Sequence, residues 1–512
     1  MLIAADQTLI LGAPGCGKTT TLLNYLDKHL SEGIKPNRIA YVSFTKKAVN
    51  EALTRTITRF GGAKADYPYF RTLHSLCLNN IPMDGLKIFD AEQKAQFGKL
   101  VGVKFSDIGG EEVNGMTMGN TPEDWCLFIE NLSRNRLVSL RDQYNTERFP
   151  PASYHMVEYF ASSYKQFKSD YFLIDFTEML ALYIERGIPI DVDVAIIDEA
   201  QDLSPLQWRV VQRAFKNVKK IYIAGDDDQA IHEWAGADVE TFLNLGGERI
   251  TLEQSYRIPH KVWEISQKLI NSVKHRFAKV FNSREESGVI HRYGTLDMLN
   301  FERLEGTILC LARHKYQLPK IEAALITAGI VFHRSGGTSS VTRKHVELIY
   351  AWERLRNGKT VSGAEVIQIY DAIPAKGGIK HGQKARLNRE INQLEQFSIE
   401  DLRKDWGLLI DGPWFEVLTG ISEEKKQYYL SILRKRGHKA LLEEPRATVS
   451  TIHGAKGGEA DHVVLLTDVT RRTFEEAHQH AAAETRVFYV AVTRAKKELH
   501  IISPNTIYGI TV

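Results

Sequence analysis

Several features that would assign this chain to a special class are absent. Its 512 residues include only four cysteines, which are widely separated and form no C-x-x-C pair: Cys16, Cys77, Cys126 and Cys310. A zinc ribbon or an iron–sulfur cluster is therefore not expected, whereas a reducing compartment is. No apolar run reaches about 18 residues, and the N-terminus has no basic segment of the signal-peptide type. These absences favour a cytoplasmic protein that does not enter a membrane.

The chain also lacks a large excess of either charge. It has 66 Lys and Arg against 63 Asp and Glu, a net charge of +3, so it is not basic throughout. A nucleic-acid site would have to be a local groove. With 43% hydrophobic and 25% charged residues the composition is that of a globular protein. The length predicts three or four domains.

Short apolar runs alternate with helical stretches, without an internal repeat, which predicts an α/β fold. Runs that are apolar throughout are typical of parallel strands buried on both faces. The predicted strands are 8–11, 38–43, 192–198, 221–224, 307–311, 448–450, 462–466 and 498–502. The pattern predicts two α/β lobes, each with a mostly helical insertion. The first lobe comprises 1–75 and 171–260, with 76–170 as its insertion. The second comprises 261–340 and 446–512, with 341–445 as its insertion.

A phosphate-binding loop stands near the N-terminus. Residues 12–19 match the pattern G-x-x-x-x-G-K-[ST], after an apolar strand and before a helix that begins near Lys18. The glycines let backbone N–H groups surround a phosphate, assisted by the helix N-terminus. Lys18 would neutralise the β- and γ-phosphates and Thr19 would ligate Mg²⁺. ATP and Mg²⁺ are therefore the expected cofactors.

Two carboxylates follow a second apolar strand. Asp198 ends the apolar run and Glu199 follows it, and carboxylates at a strand end beside a phosphate loop suit metal and water chemistry. Asp198 would hold Mg²⁺, directly or through water. Glu199 would orient or deprotonate the attacking water.

At this point the sequence resembles a known family, the UvrD/Rep/PcrA family of superfamily 1 DNA helicases. Segments 198–202 and 225–231 resemble its motifs II and III. The remaining matches are, in chain order, 44–48 (Ia), 72–75 (Ib), 252–257 (IV), 449–459 (V) and 484–496 (VI). The ordered set runs from residue 12 to residue 496 and is far more specific than any single motif.

The resemblance implies two RecA-like P-loop NTPase lobes with ATP between them. Gln229 would sense the γ-phosphate, and Arg257 and Arg494 would reach the transferring phosphoryl group, where a guanidinium stabilises spread negative charge. Tyr256 resembles the tyrosine that stacks on adenine, and Glu459 the acid near the ribose. The expected nucleotide-binding residues are Gly12, Ala13, Pro14, Gly15, Cys16, Gly17, Lys18, Thr19, Thr20, Tyr256, Arg257, Gly457, Glu459 and Arg494.

The resemblance also implies a single-stranded DNA groove and contacts with single-strand/duplex junctions. Phe44 and Trp234 match aromatic positions that stack on bases, each worth about 1–3 kcal/mol. The expected phosphate contacts in the groove are Thr45, Thr72 and His74. The Gly/Lys segment 374–382 resembles a degenerate duplex-contact loop carrying Lys376 and Lys380, although a solvated flexible loop fits it equally well.

Some positions depart from the family pattern. Only 11 residues precede Gly12, too few for the helix whose glutamine reads adenine, and Gln7 lies beside the first strand, so we expect a relaxed nucleotide preference. His232 occupies a position where relatives usually have Tyr, and Ala235 one where they often have Arg. Gly458 occupies a position that is usually Leu. Neither a C-terminal partner-binding extension nor a nuclease domain is expected.

The leading hypothesis is an ATP- and Mg²⁺-dependent motor that moves 3′→5′ on single-stranded DNA and unwinds duplex; the polarity is implied by the resemblance alone. The alternative is a nucleic-acid-stimulated ATPase that displaces bound proteins with little unwinding. A vestigial ATP site and a P-loop kinase are disfavoured. The sequence does not determine the preference for DNA or RNA, the biological pathway or the protein partners. A monomer or weak oligomer in a bacterial or phage-infected cell, associated with the nucleoid, is expected.

Overall fold

The computed structural model describes residues 3–4, 6–43, 46–106, 112–113, 116–117, 119, 121–334, 336–479 and 481–512. The strands, in chain order, are β1 (Asp6–Gly12), β2 (Ile39–Ser43), β3 (Phe70–Thr72), β4 (Lys87–Ile88), β5 (Glu112–Val113), β6 (Met116–Thr117), β7 (Leu173–Ile174), β8 (Val194–Asp198), β9 (Lys220–Gly225), β10 (Glu248–Leu252), β11 (Val289–Tyr293), β12 (Ile308–Ala312), β13 (Phe332–Arg334), β14 (Val361–Ser362), β15 (Gln396–Phe397), β16 (Ala447–Thr451), β17 (Ala460–Leu466) and β18 (Ala495–Ile502).

The helices, in the same order, are α1 (Lys18–Ser31), α2 (Lys46–Phe60), α3 (Leu73–Leu78), α4 (Ala91–Val101), α5 (Pro122–Arg136), α6 (Leu140–Asn145), α7 (Tyr154–Asp170), α8 (Phe176–Arg186), α9 (Pro205–Ala214), α10 (Val239–Leu243), α11 (His260–Ile270), α12 (Leu318–Thr327), α13 (Arg343–Arg356), α14 (Gly363–Ala372), α15 (Ala375–Gly378), α16 (Gln383–Glu390), α17 (Ile399–Lys404), α18 (Trp414–Val417), α19 (Glu423–Arg436), α20 (Arg471–Gln479) and α21 (Ala481–Val492). Of the helices in the described ranges, none combines the length and the apolar character needed to cross a membrane.

Two six-stranded sheets form the framework. Their strand orders are β10-β1-β9-β8-β2-β3 and β11-β18-β17-β12-β16-β13. All neighbouring strands in both sheets run parallel. Helices cover both faces, so the predicted α/β fold with two RecA-like lobes is confirmed.

Both faces of each sheet are buried, which explains the continuous apolar runs. In the first sheet Leu9 and Ile10 are consecutive in β1 but belong to separate clusters on opposite faces. In the second sheet Val463 and Val464 divide in the same way. Each such side chain stabilises the fold by about 1.5–3 kcal/mol.

All eight predicted strands are present, with ends shifted by a few residues. Sequence reasoning missed four strands of the large sheets, β3, β10, β11 and β13, and these are the edge strands. Edge strands are only partly covered: β10 shows no buried residue and β11 none either. Their sequences therefore lack the fully apolar signal that revealed the central strands.

The insertions carry separate cores. An aromatic cluster that includes Phe97, Phe105 and Phe160 fills the first helical region. A cluster around Trp352 and Tyr429 fills the second. The predicted boundaries of the two lobes and of their two insertions stay predictions.

The topology brings the motifs together. β1, β9 and β8 are adjacent and parallel, so their carboxyl ends at Gly12, Gly225 and Asp198 meet at one edge of the first sheet. β10, beside β1, ends at Leu252 and leads into residues 253–257 at the same edge. Ligands of open α/β sheets bind at this edge.

Candidate nucleotide cleft and nucleic-acid groove

The phosphate loop joins β1 to α1. Gly15 and Gly17 have φ of +74° and +81°, left-handed values that favour glycine, and α1 begins at Lys18 as predicted. The Lys18 ammonium is buried and donates to the Gly12 carbonyl at 2.7 Å. The loop thus holds a cation and a helix N-terminus against the strand end, an arrangement that binds phosphate.

Residues 255–257 pack directly on this loop. The Tyr256 amide donates to the Gly15 carbonyl at 2.9 Å, and the Ser255 hydroxyl donates to the Pro14 carbonyl at 2.8 Å. A Cβ at Gly15 would lie 2.4 Å from the Cβ of Arg257. Glycine at position 15 therefore serves both the backbone conformation and the close approach of Arg257.

Asp198 faces the loop from β8. Its Oδ2 accepts hydrogen bonds from the hydroxyls of Thr19 and Tyr41, each at 2.9 Å. Burial, with the neighbouring charge of Glu199, raises the pKa of Asp198 to about 6. A carboxylate and a hydroxyl in contact are the hard oxygen ligands that Mg²⁺ prefers, so Thr19 and Asp198 fit that ion.

Glu199 occupies a strained backbone position. Its φ of +57° is left-handed, which is uncommon for a residue other than glycine and clusters at functional sites. Gln201 donates to its carboxylate at 2.6 Å. Burial opposes ionisation, but the cations of Lys456 and Lys18 outweigh it and hold the pKa of Glu199 below its usual value. Glu199 is thus an oriented, charged carboxylate.

Arg494 and Gln229 meet across the cleft. The Arg494 guanidinium, 1% exposed, donates through Nη2 to the side-chain oxygen of Gln229 at 2.8 Å. Gln229 in turn donates to Asp226 at 2.6 Å. Burial, with the positive charge of Arg257 nearby, lowers the pKa of Arg494 to about 9, so it remains a cation at neutral pH. These hydrogen bonds join the segment that follows β9 in the first lobe to the turn between α21 and β18 in the second.

A second cation crosses the same boundary. Lys456 forms an ion pair with buried Asp202 and donates to the Gln229 carbonyl at 2.8 Å. Burial raises the pKa of Asp202 to about 7 despite this pair. Both residues lie inside the motif segments, yet sequence reasoning assigned them no role; their charge within a motif was the available signal.

Three consecutive aspartates behind Gln229 are paired with the second lobe. Lys279 lies 3.0 Å from Asp226 and 3.1 Å from Asp228 and also pairs with Asp227. Arg276 binds Asp228 through two hydrogen bonds of 2.7 and 2.6 Å. Lys279 and the aspartates are at most 1% exposed at their side chains. Arg276 and Lys279 lie outside every motif, so no pattern pointed to them.

The expected nucleotide-binding residues beyond the phosphate loop also line the cleft. Arg257 Nε is 2.5 Å from the carboxylate of Glu459, so these two predicted ligands pair with each other. Tyr256 is 73% exposed, which leaves its ring free to stack. Gly457 has a left-handed φ of +80°.

These residues line one cavity of about 1340 Å³. The predicted residues at its surface are Pro14, Gly15, Cys16, Gly17, Lys18, Thr19, Thr20, Asp198, Glu199, Gln229, Tyr256, Arg257, Gly457, Glu459 and Arg494. Gly12 and Ala13 lie just behind them. Gln7 is elsewhere: it accepts from the Ile3 amide at 2.8 Å and donates to the Gly246 carbonyl at 2.6 Å.

Trp234 lies near the cleft, between the lobes. It is partly buried; its ring stacks on Phe128 at 6.0 Å between centroids and meets His453 edge-on at 6.3 Å. His232 and His453 line the cleft beside it, and burial lowers the pKa of both far below the usual histidine value. Glu233 is held by Arg486 of α21 at 3.1 Å. The tryptophan therefore lies against the neutral ring of His453, which in turn lies against the ring of His232.

The other residues expected to bind DNA that the structure describes lie at the start of α3 and in the second insertion. Phe44 and Thr45 lie outside the described residues. Thr72 caps α3 through its hydroxyl, and the His74 ring packs edge-on against Phe176 with Nε2 enclosed. Lys376 and Lys380 are exposed in the second insertion and do not line the cleft. DNA contacts by all these residues stay predictions.

Comparison with known proteins agrees with this arrangement. The family model described as the UvrD/REP helicase N-terminal domain matches residues 2–248. The model of the UvrD-like helicase C-terminal domain matches residues 387–506. The chain belongs to the UvrD/Rep family of ATP-dependent DNA helicases.

Named relatives of this family extend over nearly the whole chain. A protein named "Probable DNA helicase II homolog" from Rickettsia conorii is 24% identical, with 96% of this chain and 89% of the relative covered. "ATP-dependent DNA helicase PcrA" from Bacillus subtilis is 22% identical over 98% of this chain and 82% of its own. The resemblance to UvrD-like helicases is therefore confirmed.

Replacing Lys279 by Met should destabilise this UvrD-family protein strongly. Among the ion pairs of the described residues, it would leave the three buried carboxylates with Arg276 alone, and breaking a buried ion pair costs about 3–5 kcal/mol. The midpoint of thermal unfolding should fall. Lys219→Met is the matched control, because the Lys219 side chain is 80% exposed in its pair with Asp193 and such pairs contribute about 0–1 kcal/mol. Equal midpoints for the two variants would contradict the prediction.

His74 should make the protein sensitive to acid. Burial lowers the pKa of His74 to about 4 from 6.5, so the folded state resists protonation while the unfolded state accepts it. The stability contributed by the neutral ring is complete above the unfolded pKa and is lost as the pH falls towards the folded one.

The His74 contribution should shrink by about 2 kcal/mol between about pH 7.5 and about pH 5. His74→Phe keeps an aromatic ring against Phe176 and should weaken the pH dependence of the unfolding midpoint. His155→Phe, at an exposed position of α7, is the control. An unchanged slope in His74→Phe would refute the assignment.

Proposed function

We propose that this protein hydrolyses ATP with Mg²⁺ and uses the reaction to move 3′→5′ along single-stranded DNA and to unwind duplex DNA. The observation that carries the proposal is segment 225–236. It leaves the end of β9 in the nucleotide cleft, presents Gln229 to Arg494, and then carries Trp234 between the lobes. One short segment therefore contacts both candidate sites.

The residues of the cleft have distinct roles in this proposal. Thr19 and Asp198 would hold Mg²⁺, which neutralises phosphate charge. Lys18 adds positive charge at the phosphate loop. Glu199, charged and oriented by Gln201, accepts a proton from the attacking water or positions it. Arg494, desolvated and cationic, stabilises charge on the transferring phosphoryl group.

Coupling to movement follows from the contacts across the lobes. A γ-phosphate competes for the Arg494 guanidinium that Gln229 contacts, so nucleotide state changes the Gln229 contact. Gln229 is bonded to Asp226, and Asp226 is paired with Lys279 of the second lobe. Motion of one lobe against the other is thereby transmitted to the segment that holds Trp234.

The DNA substrate and the polarity are supported by likeness to the family's named DNA helicases and by its motif set. Duplexes with a 3′ or a 5′ single-stranded tail test the polarity: unwinding only with the 3′ tail is expected. Strong DNA-stimulated hydrolysis without unwinding of either duplex would instead favour the remodelling ATPase. Hydrolysis that DNA does not stimulate would contradict both.

Removing the phosphate-loop lysine should abolish hydrolysis and leave DNA binding intact. The reason is that Lys18→Ala removes the buried cation of the phosphate loop. A second variant, Glu199→Gln, should lower kcat by about 10²–10⁴-fold because the attacking water loses its general base. Steady-state ATPase assays with and without single-stranded DNA measure this. Lys28→Ala, on the exposed side of α1, is the control. Residual hydrolysis in Lys18→Ala near the wild-type rate would overturn the mechanism.

Trp234 should contribute directly to gripping single-stranded DNA. Trp234→Ala should weaken binding by about 1–3 kcal/mol, a roughly 5–150-fold rise in Kd, whereas Trp234→Phe should retain most of the affinity. Fluorescence anisotropy of a labelled oligonucleotide measures it. Tyr159→Ala removes a 56% exposed aromatic of the first insertion and serves as control. An affinity unchanged by Trp234→Ala would assign the ring to packing on Phe128 alone.

A further inference from the structure

A group of metal-binding side chains lies in the second sheet, outside every motif. β11, β18 and β17 are neighbours, and their register places His291 beside His500 and Glu498 beside His462. Glu498 and His500 are two residues apart, so they share one face of β18. Three imidazoles and one carboxylate therefore occupy adjoining positions on one sheet face.

One nitrogen of each histidine lies close to the same carboxylate oxygen of Glu498. Glu498 Oε2 lies 3.3 Å from His291 Nε2, 3.5 Å from His462 Nδ1 and 3.5 Å from His500 Nε2. His462 Nδ1 and His500 Nε2 are 3.3 Å apart. Ligands at about 2.0–2.1 Å from a tetrahedral zinc ion are about 3.3–3.4 Å from one another. The four distances given above between potential ligand atoms, 3.3 to 3.5 Å, are already close to that value.

The surroundings orient these rings as ligands. His462 Nε2 lies 2.7 Å from the Glu305 carbonyl, which can only accept, so that nitrogen carries the proton and Nδ1 offers its lone pair to the group. His500 Nδ1 faces the Tyr293 hydroxyl at 3.5 Å, leaving Nε2 directed inward. A second hydrogen-bond partner on each ring is characteristic of histidines that bind metal.

The group is also accessible. The His462 and His500 side chains are 8% and 2% exposed, while those of His291 and Glu498 are 40% and 31% exposed. An ion could therefore enter from solvent on the side of His291 and bind the buried rings of His462 and His500.

We propose that His291, His462, His500 and Glu498 form a zinc-binding site that joins β11, β17 and β18 in the second lobe. Nitrogen and carboxylate ligands in a tetrahedral arrangement select Zn²⁺ over Mg²⁺, which prefers six oxygen ligands. The site is separate from Thr19 and Asp198 of the nucleotide cleft. Since β17 begins after Glu459 and β18 after Arg494, bound zinc would anchor the two strands that carry cleft residues.

Zinc titration of the full chain in competition with a chromophoric chelator tests the proposal. Excess Mg²⁺ is present throughout to occupy oxygen sites. We expect one equivalent of Zn²⁺ to bind and to raise the midpoint of thermal unfolding, because the ion binds the folded state. Co²⁺ in place of Zn²⁺ should give the visible absorption of tetrahedral coordination without a thiolate charge-transfer band, which separates this site from the cysteines.

Matched variants locate the binding. His291→Ala and Glu498→Gln should each weaken zinc binding at least about ten-fold, since even an outer partner of a metal ligand is worth about 10–100-fold. His333→Ala is the control: it lies in the same sheet, is 34% exposed and faces one carboxylate, Glu444, at 3.9 Å. Absence of stoichiometric binding, or equal weakening by His291→Ala and His333→Ala, would overturn the proposal and leave His291 and Glu498 as an ion pair.

Discussion

Charge buried between the two lobes is the constraint on which the site depends. Parallel strands end at one edge of the first sheet, so the acids that follow them accumulate there. Buried charges are tolerated only when paired, and the second lobe supplies the cations. Lys456 pairs with Asp202, and Lys279 with the aspartates before Gln229. The cleft therefore exists in this form only with both lobes in contact.

The same pairing makes the site responsive. Arg494 is buried and donates to the side-chain oxygen of Gln229 at 2.8 Å, while Arg257 is paired with Glu459. In the proposed motor both arginines would exchange these partners for phosphate oxygens, which bind a guanidinium through two parallel hydrogen bonds. The arginine contacts that join the lobes are thus the contacts that a nucleotide would replace. This exchange links hydrolysis to lobe movement in the proposed motor.

The histidine group of the second sheet rests on a different principle. Parallel strands place residues that are distant in sequence side by side at fixed spacing. Here that spacing assembles His291, His462 and His500 around one carboxylate oxygen of Glu498. The proposed zinc site would tie together β17 and β18, which begin just after Glu459 and Arg494. The metal chemistry and the nucleotide chemistry therefore share a framework without sharing a ligand.

The sequence by itself determined the family, the α/β class, the central strands and the motif residues, because local patterns record them: strands buried on both faces are continuously apolar, and a phosphate loop needs its glycines at set positions. Only the tertiary structure decided the rest. The edge strands β3, β10, β11 and β13 are half-covered and lack that pattern. Lys279, Arg276 and the histidine group act through neighbours far away along the chain, and the pairing of Arg257 with Glu459 depends on how the lobes meet. Contacts of this kind leave no local signature, since only folding brings their members together.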